Sequence, residues 1–197
     1  MTSDPAVSTG PEQAAVAARP SWGLAALAGV AVAVAGVLAA YAQVHPGDGA
    51  AISTFGFDGM LQMKAGFATV AAALAVVQVV SALAMWGRLP GVRSTPGWVG
   101  GLHRWSGTAA FVVSLPVVFH CVWSLGFADE PVRALVHSVA GCLFYGAFAA
   151  KMLALRLRGL PSWAVPVLGA ALVTLLLVVW FTSALWYFTQ TDAPVYG

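Results

Sequence analysis

Five apolar runs, each long enough to cross a bilayer, dominate this chain. They cover about Trp22–Ala42, Ala65–Trp86, Leu102–Phe127, Val132–Leu153 and Trp163–Phe188. A spanning helix takes about 20 apolar residues. Hydrocarbon offers no partners to backbone N–H and C=O groups, so such runs must satisfy them internally, as helices. Only 8% of the 197 residues are charged, against about 25% in soluble domains. The sequence therefore predicts an all-α, polytopic membrane bundle of five transmembrane helices, with the lipid bilayer as its first partner. A single domain is expected over residues 21–188. Residues 1–20 are Ala, Pro, Ser, Thr and Gly with few charges, cannot bury a core, and read as a disordered tail. Residues 189–197 read as a second, short tail. Ala40-Tyr41-Ala42 resembles a signal-peptidase site, but the length of the first run and its polar lead favour a retained helix.

Charge orients the bundle. Arg19, Arg88, Arg93, Arg104, Lys151, Arg156 and Arg158 fall on the side of the amino terminus. The other side holds Lys64 and Arg133 with Asp48, Asp58, Asp129, Glu130 and Asp192. The positive-inside rule then places the amino terminus in the cytoplasm and the carboxyl terminus outside the cell membrane. A net charge of +2 is too small to argue for nucleic acid. No phosphate-binding glycine loop, Walker motif or Cys-x-x-Cys is present. The two cysteines, Cys121 and Cys142, sit in apolar runs and read as small packing residues.

Chemistry concentrates in three histidines within or at the edge of the spans: His103, His120 and His137. An imidazole in hydrocarbon is costly and marks function by default. His120 and His137 lie about 12 and 9 Å below the same edge, at 1.5 Å per residue on neighbouring antiparallel helices. They are expected to face each other as the two axial ligands of one b-type haem. Arg133, His137 and Gly141 form an i, i+4, i+8 stripe on one helix face. Arg133 and Lys64 are placed to meet haem propionates, with ordinary snorkelling as the alternative. Gly141 would let a flat macrocycle approach the backbone.

His103 lies 17 residues before His120, about 25 Å along the helix, so it cannot serve that haem. With Gly107 it repeats the His-x-x-x-Gly pattern of His137 and Gly141. A second haem there would need a methionine partner such as Met85 or Met152, or would be five-coordinate. A quinone head group and a purely structural hydrogen bond are the other readings. For His120 and His137 the alternatives are a cofactor-free polar pair and a zinc or copper site.

His103-Arg104-Trp105-Ser106-Gly107, His120 and His137-Ser138-Val139-Ala140-Gly141 together resemble the cytochrome b561 and ferric-reductase-like membrane cytochromes, over residues 65–160. That resemblance implies a helical bundle with bis-histidine haem that moves electrons across or along the membrane. Two-haem members usually carry four ligand histidines, and here three of the four histidines lie in the membrane. From Phe57 to Phe188 the chain also resembles an uncharacterised actinobacterial membrane-protein family. The function expected is electron transfer by a haem-bearing subunit of a redox complex, or by a small quinol or ferric-type reductase. An oxidoreductase activity of its own is left open. No flavin or nicotinamide motif is present, so a redox protein partner or another subunit must supply electrons. A cofactor-free accessory subunit is the rival. Transport ranks last, because no carboxylate lies inside a span.

Overall fold

A computed structural model describes residues 20–91 and 94–190. The tail expected over 1–20 lies outside them except for Pro20, as do Arg19, Arg93, Asp192 and the last seven residues. The described residues are helical, without a strand. Five helices are long and apolar enough to cross a membrane, so the expected fold class holds. They are α1 (Pro20–Val44), α2 (Met60–Met85), α3 (Trp98–Phe119), α4 (Val132–Ala154) and α5 (Ala164–Trp180). Two of them run on into π-helical turns: α3 through His120–Leu125 and α5 through Phe181–Leu185, the latter followed by a last α-turn, Trp186–Thr189.

The helices form a ring. α1 packs on α4, α4 on α5, α5 on α2 and α2 on α3, and the π turn of α3 returns to α1. Between α3 and α4 the backbones stay apart and long side chains make the contact. Phe111 stacks on Phe148 with ring centroids 4.2 Å apart. The Tyr145 hydroxyl meets the Ser114 hydroxyl at 2.8 Å. Helix–helix contact in lipid depends on small residues and close packing rather than on a hydrophobic drive. The α1–α4 seam follows that rule: Leu27, Ala150 and Ala154 form a buried cluster, and Gly146 sits directly against the Ala31 carbonyl. Elsewhere a polar bond ties the ring, as where the Trp180 indole donates to Thr69 Oγ1 at 3.0 Å.

The loop after α1 is stitched to the end of α3. Gly49 N donates to Ser124 O at 2.9 Å, and Phe127 N donates to Ala42 O at 3.0 Å. Gly126 ends the π turn at φ 72°, a left-handed conformation that glycine adopts without strain. A Cβ there would also press on the Ala42 and His45 carbonyls. Pro116 lies inside α3, and the missing proline N–H loosens the ladder just before the π turn.

Candidate functional site

The ring encloses a cavity of about 250 Å³, lined by all five helices and walled mostly by apolar residues. Lys64, Arg133, His137, Cys121, Ser114 and Tyr145 bring polar groups to its wall, and among the described residues no aspartate or glutamate does. Lys64 is only 8% exposed. Arg133 lies in the first turn of α4, and its guanidinium donates to the Thr182 carbonyl and stacks 3.9 Å over the Trp186 ring. Gly141 lines the cavity with nothing within 4 Å of where a Cβ would stand. That bare wall is the one the i, i+4, i+8 stripe anticipates.

His137 is held from both sides by π turns, which recur at functional sites. Its Nδ1 lies 3.2 Å from Thr182 Oγ1. The Thr182 hydroxyl proton is already given to Val178 O at 2.7 Å, so Thr182 accepts and the imidazole donates. A neutral imidazole with its proton on Nδ1 keeps a lone pair on Nε2. That atom lies 3.8 Å from Cys121 Sγ on the cavity wall. The same logic fixes the other two rings. His103 Nδ1 meets Ser81 Oγ at 2.8 Å, and Ser81 donates to Val77 O at 2.6 Å. His120 Nδ1 meets Pro116 O at 2.7 Å, and a carbonyl can only accept. All three imidazoles are therefore anchored through Nδ1–H and offer Nε2 as an acceptor or a metal ligand. Metal-binding histidines are usually oriented in this way.

The expected facing pair, His120 with His137, is not formed. His120 turns to the other side of α3, 2% exposed, and lines a separate groove with Ser53 and Trp123. Successive helix residues differ by about 100° in direction, and it is Cys121, not His120, that lines the cavity. Cys121 was expected to be a packing residue; instead it is the neighbour of His137. Both cysteines are free thiols.

His103 and Gly107 build a different device. Gln78 on α2 donates to the His103 carbonyl and to Ser106 Oγ at 2.7 Å. A Cβ on Gly107 would lie 3.0 Å from the Gln78 amide. Gly107 thus makes room for a polar clamp between α2 and α3 rather than for a macrocycle. Met85 and Met152, the methionine candidates for a second haem, are 40% and 39% exposed on the bundle surface. Replacing Gln78 with leucine removes both clamp bonds. Interhelical hydrogen bonds in membranes are worth roughly 0.6 kcal/mol each, so a loss of about 1 kcal/mol is expected, read as a lowered melting temperature in detergent.

Thr182 was missed by the sequence reading, as was the pairing of Tyr145 with Ser114. A readable signal existed: Thr182-Ser183 is a polar pair inside a strongly apolar run. The fold and this cavity define a five-helix membrane protein with a polar-ended, histidine-bearing interior. The chain belongs to a family of unknown function, DUF6529, whose model matches residues 23–195. No curated protein and no solved structure matches the chain.

Proposed function

We propose that this protein is a b-type haem membrane cytochrome, the haem-bearing subunit of a redox complex or a small membrane reductase. The observation that carries the reading is the cavity wall itself: an imidazole with a fixed Nε2 lone pair, beside two cations and, among the described residues, no carboxylate. His137 would take the iron. Lys64 and Arg133 suit two propionates, because a cation buried in a membrane protein calls for an anionic partner. Gly141 gives a flat ring access to the α4 backbone. Ligand pockets start at roughly 300 Å³, so a macrocycle would have to part α3 from α4, the pair joined by side chains alone. When bound, the haem would supply one-electron chemistry at its iron. The protein's own part is to orient His137 through Thr182, to balance the propionate charge, and to keep water out with apolar walls.

With His120 turned away, the reading rests on one histidine ligand, and Cys121 stands across from it. At the other end His103 has no ligand partner, so one haem is proposed rather than two; its free Nε2, an acceptor, suits the reduced, hydroxyl-bearing form of a quinone head group. The rival is a cofactor-free accessory subunit. It is favoured by Arg133, which already has two partners in Thr182 and Trp186. Titrating purified protein with haemin separates the two. A saturable change in the haem absorption at one equivalent is expected, and its absence would leave the accessory reading standing.

The arginine distribution supports an amino terminus in the cytoplasm, which would put the cavity nearer the outer face of the cell membrane. A reporter fused after Gly197 is expected to be active only outside the cytoplasm. Activity confined to the cytoplasm would overturn this orientation.

A further inference from the structure

Beside the cavity, across a wall of Leu38, Val118 and Val122 that lines both, lies a groove of about 680 Å³ between α1 and α3, and among the described residues none that lines it is charged. His120 forms its floor, 2% exposed. Tyr41, Phe55, Phe119 and Trp123 rim it. Phe119 and Trp123 are parallel, 6.2 Å apart at 10°, and both are about half exposed, at 45% and 52%. The groove therefore opens where a bilayer would lie.

The imidazole sets the chemistry of the occupant. Its Nδ1 proton is fixed on Pro116 O, so Nε2 can only accept. The nearest donor, Ser53 N–H, stands at 3.5 Å, beyond the usual 2.7–3.2 Å of an N–H hydrogen bond. A buried acceptor left so poorly paired is costly. A ligand hydroxyl would recover that. The apolar, uncharged lining disfavours phospholipid head groups, and the parallel rings suit a flat ring.

We infer that this groove binds a neutral, lipid-soluble phenol, whose ring lies against Phe119 and Trp123 and whose hydroxyl donates to His120 Nε2. The site takes the reduced, hydroxyl-bearing ring in preference to the oxidised one. A quinone oxygen can only accept, and it would meet another acceptor. The site stands apart from the haem reading and does not need it.

The test is calorimetric binding to the full-length protein in nanodiscs, with three probes: an alkylhydroquinone, its oxidised quinone and its dimethyl ether. An alkyl monophenol as a fourth probe separates a hydroquinone site from a general phenol site: equal affinity makes it general. The hydroquinone is expected to bind saturably, and the quinone and ether about tenfold more weakly or worse. His120→Phe is expected to remove that preference. Trp123→Ala, on the exposed lip where the fold is not at risk, is expected to weaken the hydroquinone several-fold. No saturable hydroquinone binding, equal affinity for all three probes, or indifference to Trp123→Ala would overturn the inference. A colourless protein that binds hydroquinone would keep this inference and lose the haem reading; a red protein that ignores hydroquinone would do the reverse.

Discussion

Replacing His137 with alanine is expected to strip the protein of haem, from about one per chain to less than about a tenth of that. His137 is the one histidine on the cavity wall, and its Nε2 is the only imidazole nitrogen aimed there with its tautomer fixed. Thr182→Val should act more mildly. Removing the oxygen that orients a ligand histidine costs roughly 10- to 100-fold in metal affinity, so haem should be present but readily lost to a competing haem scavenger. His45→Ala and His103→Ala should leave haem content unchanged, since neither residue reaches the cavity. His120→Ala discriminates between ligand sets. The observed geometry predicts that haem is retained. Its loss would restore the His120–His137 pair anticipated from depth alone. Pyridine-haemochrome assay on each purified variant reads all of these outcomes.

Within the helix–helix seams the largest effect on stability is expected at Gly146. A Cβ there would collide with the Ala31 carbonyl oxygen and lie 3.2 Å from Ala35 Cβ. The obstacle is backbone, so it cannot swing aside as a side chain would, and α1 must move off α4. Overpacking costs typically 1–3 kcal/mol and occasionally more; with valine at 146 and a rigid obstacle, about 3 kcal/mol or more is expected. Gly36→Ala on α1 is the control, because nothing lies within 4 Å of its Cβ position. Thermal unfolding in detergent should show Gly146→Val melting far below wild type and Gly36→Ala close to it. Equal melting points would mean that the α1–α4 seam is not as close as described.

The spans were legible in the sequence because hydropathy alone forces them. Their ends were less so. The second run was expected to begin at Ala65, after the charge of Lys64, whereas α2 begins at Met60. A buried lysine on a cavity wall does not end a helix, and only tertiary structure shows which way it faces. Depth along the helices was legible too: Lys64, Arg133 and His137 line one cavity, as their positions near the same edge suggested. Azimuth was not. Pro116 and the π turn at His120–Leu125 alter the phase of α3 just where the pairing depended on it. One residue of rotation exchanges His120 for Cys121. The repeated His-x-x-x-Gly pattern was likewise divided by context. Gly141 opens the cavity wall, while Gly107 admits Gln78.

The central claim is that the cavity beside His137 holds haem. The most direct measurement is the reduced-minus-oxidised visible spectrum of the full-length protein, purified in mild detergent from haem-replete cells, together with haem per chain. The account predicts a red protein whose visible haem spectrum changes on reduction, with about one haem per chain. A folded, colourless protein that also fails to take up added haemin would contradict it.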